Sequence, residues 1–222
     1  MTKEGFAESD SEAASRFITY KSRDPFYNIA PALLNSADVI DYIRLTGMVH
    51  PFDPEGKRKG ATVPLHVGDT VISWGTGGGD YEETTLQYGS CRKMDRNSIV
   101  FVKTLEKLRI PKYMVARFNL RIDHVHKGLL LGTGRVVDRG YVGHLLVPIH
   151  NLTVNNYRVC MGSAFAWMEF TKISPHEGVE KIYGNSFHKE ATYPDKIAEF
   201  EEVPVPQMLE KAYTGEIRSS IP

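Results

Sequence analysis

The chain has 222 residues, 41% of them apolar and 24% charged, the balance of an ordinary globular protein that can bury a core of useful size. Lys and Arg number 27, as do Asp and Glu, so the formal net charge is zero; broad nonspecific binding to DNA or RNA, which needs excess positive charge, is excluded. No apolar run approaches the ~20 residues that span a bilayer. The opening "MTKEGFAESDSEAAS" is polar and has no apolar stretch of a secretory signal. A cytoplasmic protein with a loose extension over residues 1–30 is expected.

In chain order, "NSADVIDYIRLTGM" reads as a short helix. Ser36 or Asn35 can cap it, Val39, Ile40 and Ile43 share a face, and Gly47 is a natural stop. A turn-rich link, "HPFDPEGKRKG", leads into "ATVPLHV", "DTVISW" and "SIVFVKT". These runs are short and β-branched, and Gly, Asp and Asn separate them, so each predicts a strand. "YMVARFNLRIDH" alternates with period two and predicts one strand with a wet or interfacial face. "LLL", "RVV", "YVGHLLVPI", "YRVCM" and "SAFAWMEF" follow, each bounded by turn residues. Many short strands with no βαβ alternation predict a barrel or jelly roll. Beyond residue 170 the chain is polar and interrupted by proline, with one short helix expected at "PQMLEKAY".

Several residues could carry chemistry. Asp138 stands in "VVDRGY", where an acid either bonds its own backbone at a hairpin corner or faces a ligand. "GTGGGDY", residues 75–81, lacks the Lys-Ser/Thr of a P-loop and predicts a hairpin loop. His124 and His126, two apart on the expected strand, would share a face, but no nearby ligand completes a metal set. Arg117 and Arg121 fall on the same polar face, where guanidinium pairs suit phosphate, carboxylate or a subunit contact alike. The two cysteines, Cys91 and Cys160, have no zinc-like spacing; two free thiols, not a disulfide, are the default expectation. No nucleophile elbow, Ser-His-Asp set, dinucleotide fingerprint or zinc-deaminase signature is present.

"HKGLLLGTGRVVDRGYVGHLLVPIHN" resembles the central motif of the dCTP deaminase and dUTPase superfamily. That motif is a Gly-led strand, an Ile/Val-Asp-x-Gly/Asp-aromatic-x-Gly hairpin and a strand ending in Asn. Here it runs from Val137 through Asp138, Gly140, Tyr141 and Gly143 to Asn151. "YRVCMGSAFAWMEF" is similar to the next hairpin. Upstream, "LLNSADVIDYIRLTGMVHPFDPE" and "ATVPLHVGD" resemble the deaminase branch's N-terminal helix, its link and its first strand. The likeness covers roughly residues 31–172 and implies a mainly β, distorted jelly-roll or β-barrel domain over 31–172. A short N-terminal helix and a C-terminal extension, 173–222, would accompany it, the extension packing on its own or a neighbouring subunit.

The resemblance also implies a homotrimer with sites between subunits. It implies a pyrimidine deoxynucleoside triphosphate ligand, Mg²⁺ carried on the phosphates, and no metal bound by the protein alone. Asp138 would hold the attacking water and Tyr141 would pack on the deoxyribose. Arg117, Asn119, Arg121, Lys127, Gly128, Val137, Gly140 and Trp167 would line the substrate. The departures point away from deamination. Pro148 stands where the deaminases carry the water-activating Glu, and Arg117-Phe118-Asn119 stands where an Arg-Ser-Ser or Arg-Ser-Gly motif is found. The dUTPase Gly-rich C-terminal arm is not visible. The readings left are a dUTPase-like pyrophosphohydrolase, a nucleotide-binding homotrimer without chemistry, and a deaminase that uses a relocated carboxylate such as Asp123.

Overall fold

The computed structural model describes residues 5–56, 60–74, 81–132 and 136–174. The expected loop at 75–80 and the expected helix "PQMLEKAY" lie outside them. The helices are α1 (Asp10–Tyr20), α2 (Ser36–Thr46) and the single turn α3 (Ile122–Val125). The strands are β1 (Val49–His50), β2 (Thr62–Trp74), β3 (Tyr81–Thr85), β4 (Cys91–Met94), β5 (Ser98–Arg109) and β6 (Met114–Leu120). They continue with β7 (Leu129–Leu131), β8 (Val136–Val137), β9 (Val142–Asn151), β10 (Tyr157–Cys160) and β11 (Ala164–Lys172). None of the described helices is long and apolar enough to cross a membrane.

The expected mainly β architecture is the one observed: a curled antiparallel half-barrel. Its strands run in the order β7-β9-β5-β2-β11-β6-β8, with β1 added to β5 and β3 to β2. The curl has a local cause. "ATVPLHV" and "DTVISW", expected as separate strands, form the one long strand β2, which breaks register with β5 between Val67 and Val71. β5 breaks register with β9 between Lys103 and Lys107. Such bulges bend a strand and raise its twist. Gly68 sits in the bend, where a Cβ would lie 2.8 Å from the main-chain oxygens of Lys103 and Thr104; any side chain there would push the strands apart.

Alternation sorts the faces. Val100, Val102, Thr104, Glu106 and Leu108 of β5 point inward, and they meet apolar residues of β2, β9 and β11 in one core. Helix α2 closes it with Val39, Tyr42 and Ile43. Asn35 caps α2 by accepting from the amides of Ala37 and Asp38, and Gly47 ends it at φ +65°, as the sequence predicts.

Three expectations fail here. Residues 10–20, expected as loose, form α1, capped by Ser9, with Ala13 and Phe17 buried. The chain at 24–29 is also anchored: Lys172 Nζ pairs with Asp24 and donates to the carbonyls of Phe26 and Ile29. The long strand "YMVARFNLRIDH" stops at Leu120. Arg121 then donates its amide to the Phe165 carbonyl, and α3 follows. His124 and His126 therefore lie on a helical turn and its cap, and Arg121 leaves the strand as the residue before that turn.

The third failure concerns the cysteines. β4 and β10 form a separate two-stranded ribbon in which Cys91 faces Cys160. The two are joined by a disulfide that closes a sequence separation of 69 residues. An isolated two-stranded ribbon is marginal in water, and its strands are remote in sequence, so the cross-link holds the pair together. Cys91 is exposed and open to reductant. Reduction is expected to lower the unfolding free energy by roughly 2–4 kcal/mol. Urea midpoints with and without a phosphine reductant measure it, and equal midpoints would refute it.

Candidate functional site

The turn between β8 and β9 is built by the main chain. The Asp138 carbonyl accepts from the Tyr141 amide at 3.2 Å, and Gly140 takes φ +84°, the left-handed value a type II turn requires at its third position. The Gly140 amide, which an Asp side chain would accept from in an Asx turn, instead donates to the Ile110 carbonyl at 2.7 Å. Ile110 in turn donates to the Tyr141 carbonyl at 2.8 Å. The hairpin is thus tied to the end of β5 without help from the Asp138 side chain. That carboxylate is exposed and makes no hydrogen bond or ion pair among the described residues. Val137, beside it, is buried opposite Ala116. The Tyr141 hydroxyl turns back to donate to the His144 carbonyl at 2.7 Å.

The outer face of β8, β6 and β11 gathers most of the other expected residues. Arg117 stands opposite both Val136 and Glu169, and Asn119 opposite Trp167. Arg117 and Asn119 are exposed, and the Asn119 side-chain oxygen accepts from the Leu120 amide at 2.9 Å. The Arg121 guanidinium lies 4.9 Å from the centroid of the Trp167 ring and 3.5 Å from Asp123. This face therefore offers a cation over an aromatic plane at one end, and Arg117, without a partner among the described residues, beside the strand that leads into the Asp138 turn. Guanidinium groups and an indole face suit phosphate oxygens and a ring.

Lys127 and Gly128 lie at the Arg121 end of that face, away from the Asp138 turn. They follow α3, and Gly128 is bonded to Leu152 at the far end of β9 from the turn. The ten-residue strand β9 sets that separation at roughly 30 Å, given about 3.3 Å per residue. Pro148 is buried in β9 opposite Phe101. A Cβ on Gly132 would lie 3.0 Å from its ring and 2.9 Å from His150 Nε2; proline itself has no side-chain proton acceptor.

A depression of about 460 Å³ opens elsewhere, lined by Glu82, Arg92, Lys93, Asp95 and His150. Its charges cancel as the pairs Arg92–Glu82 at 2.5 Å and Lys93–Asp95 at 2.8 Å, so the candidate chemistry stays with the uncommitted Asp138. No group of three or more His, Cys, Asp or Glu side chains is placed to hold a metal ion among the described residues.

Two polar centres escape sequence reasoning. Glu106 is buried in β5, and its two oxygens accept from the His66 amide at 2.9 Å and meet His66 Nδ1 at 2.6 Å. An acid at an inward position of an alternating strand is the signal that could have revealed it. His124 is held by Ala164 and Tyr157. Nε2 donates to the Ala164 carbonyl at 3.2 Å, and in the neutral ring Nδ1 then accepts from the Tyr157 hydroxyl at 2.8 Å. Burial pushes the His124 pKa below its ordinary 6.5 and does the same to His50.

The unfolded chain then binds protons that the folded chain refuses, so stability rises with pH across that interval. It is fully present above about 6.5 and lost as pH falls through the lowered native values. Urea midpoints between pH 7.5 and 5 should fall, with a shallower slope in His124→Gln. An unchanged slope in the variant would remove His124 from the account.

No family profile matches the chain, and no curated protein matches it. Solved structures do. The dCTP deaminase from Agrobacterium tumefaciens aligns at a TM-score of 0.55 and 15% identity, over 65% of this chain and 49% of that one. The dUTPase from Streptococcus mutans aligns at a TM-score of 0.40 and 18% identity, over 57% of this chain and 88% of that one. The EIAV dUTPase aligns at a TM-score of 0.36 and 16% identity, over 58% of this chain and 98% of that one. The chain has the fold of the deaminase and spans about half that protein's length.

Proposed function

We propose that this protein binds a pyrimidine deoxynucleoside triphosphate at a site completed by a neighbouring copy in a homotrimer, and hydrolyses it to the monophosphate and pyrophosphate. The observation that carries the reading is Asp138: an exposed carboxylate with no partner among the described residues, on a turn closed entirely by backbone. Such a carboxylate is free to orient a water towards phosphorus and accept its proton. Arg117, Arg121 and Asn119 would meet phosphate oxygens, and Trp167, Tyr141 and the main chain of Val137 would meet the sugar and base. Mg²⁺ would travel on the triphosphate and offset its charge. Asp138 is a fitting carboxylate neighbour for an ion of that kind. The roughly 30 Å along β9 between the turn and Lys127–Gly128 supports a shared site, because two copies are needed to bring those ends together. The fold of a dCTP deaminase supports a nucleotide ligand, and the buried Pro148 argues against deamination itself.

The test is a panel of nucleoside triphosphates with Mg²⁺, with bases and phosphates analysed separately. Pyrophosphate release from dUTP or dCTP, with the base intact, is expected. Ammonia from dCTP would overturn the reading of Pro148. Binding without turnover would leave a nucleotide-binding trimer. Sedimentation equilibrium should give three copies, and a stable monomer at micromolar concentration would sink the shared site.

A further inference from the structure

Arg109 ends β5 with a side chain only 2% exposed. A guanidinium in such a place needs an anion, because an unpaired buried charge is severely destabilising. Its anion is supplied from outside the sheet, by Asp10 at the start of α1. Arg109 Nη2 bonds an oxygen of that carboxylate, while Lys107 Nζ lies 3.2 Å from the other oxygen. The match is incomplete. Arg109 Nη1 is buried and has no acceptor, and the Asp10 side chain is 50% exposed.

The same molecule shows what a finished buried pair looks like. Lys172 and Asp24 are 6% and 15% exposed, and Lys172 Nζ is satisfied by two carbonyls besides. The surroundings of Arg109 also lean positive. Arg109, Lys107 and Arg16 face Asp10 and Glu12, with Glu12 already committed to Arg16 at 2.5 Å. His50 stands opposite Lys107 on β1, and its pKa, lowered by burial, leaves Arg109 and Lys107 as the cations beside Asp10.

We propose that Arg109 and Lys107 form a site for a phosphoryl group, which the Asp10 carboxylate of α1 fills in the free protein. A phosphoryl group has three terminal oxygens and a larger charge than a carboxylate. It can take both guanidinium nitrogens at once, including the unsatisfied Nη1, and Lys107 as well. Binding there displaces Asp10 and loosens the first turn of α1, a helix that buries only Ala13 and Phe17.

The site touches the hairpin. Arg109 is paired with Val142, and its neighbour Ile110 bonds both Gly140 and Tyr141. A change at Arg109 is therefore one strand away from the turn that presents Asp138. The proposal itself does not depend on what Asp138 does.

The experiment titrates inorganic pyrophosphate, and separately a nucleoside triphosphate, into the full chain by calorimetry at ionic strength held constant with chloride. Asp10→Asn removes the competing charge and keeps the size of the side chain. It should bind pyrophosphate at least about tenfold tighter than the parent, the ratio expected when ~1.4 kcal/mol of competition is relieved. Lys107→Gln added to Asp10→Asn should cancel most of that gain without burying a new charge. The gain should persist when Asp138→Asn is added to Asp10→Asn, which separates this site from the hairpin. A larger gain for the nucleotide than for pyrophosphate identifies a nucleotide phosphate as the ligand; equal gains identify free phosphates. If Asp10→Asn binds neither probe tighter than the parent, or if the gain survives Lys107→Gln, Asp10 is only an anchor for α1 and the proposal fails.

Discussion

Replacing Asp138 by asparagine is expected to cut nucleotide hydrolysis by ~10²–10⁴, the range a positioned general base contributes, while leaving the melting temperature nearly unchanged. Both halves follow from the turn. The amide of asparagine has the size of the carboxylate and favours the same turns, and the turn makes no use of the side chain: its closing bond runs from the Tyr141 amide to the Asp138 carbonyl, and the Gly140 amide goes to Ile110. What the substitution removes is charge and basicity. A loss of that size amounts to about 3–5 kcal/mol of transition-state stabilisation, far above the effect of an exposed surface change on folding. Steady-state rates and calorimetric melting on one preparation decide it. Lower stability with unchanged nucleotide binding and turnover would make Asp138 a hairpin corner and nothing more.

The second large effect concerns folding. Lys172→Met should destabilise the protein by roughly 3–5 kcal/mol, the usual consequence of leaving a buried charge without its partner. Asp24 would keep the Tyr42 hydroxyl, now at 2.8 Å, but lose the ammonium at 2.5 Å. The carbonyls of Phe26 and Ile29 would lose their donor too, and the segment 24–29 would lose its tie to β11. Against a typical total of about 5–15 kcal/mol, this is roughly a fifth or more of the stability. Adding Asp24→Asn to Lys172→Met removes the orphaned charge and should recover part of the loss, a coupling that a double-mutant cycle isolates. Urea unfolding measures all three variants. A single variant within about 1 kcal/mol of the parent would mean that water reaches Asp24 easily.

By itself the sequence determined the β character, the α2 caps and the Asp138 turn. Each rests on short-range rules: alternation, side-chain capping by Asn35, and the positive φ that Gly47 and Gly140 adopt. The outer face of β6 and β11 was legible for the same reason, since period two puts Arg117 and Asn119 on one side. The tertiary structure decided the rest, and in each case the deciding partner is remote. α1 buries only Ala13 and Phe17, too thin a stripe to stand out from a polar tail, and Gly47 and Arg109 hold it in place. "RIDH" continues an alternating pattern, but the Phe165 carbonyl takes the Arg121 amide and the chain turns into α3. Four residues are too few for a period of two to be told from one of 3.6. Cys91 meets Cys160 only because β4 and β10 pair in that register. Lys172 finds Asp24, and Glu106 finds His66, across strands and segments no local rule connects. Buried charge is matched by whatever anion or cation the fold delivers, so its partners belong to the three-dimensional packing and not to sequence spacing.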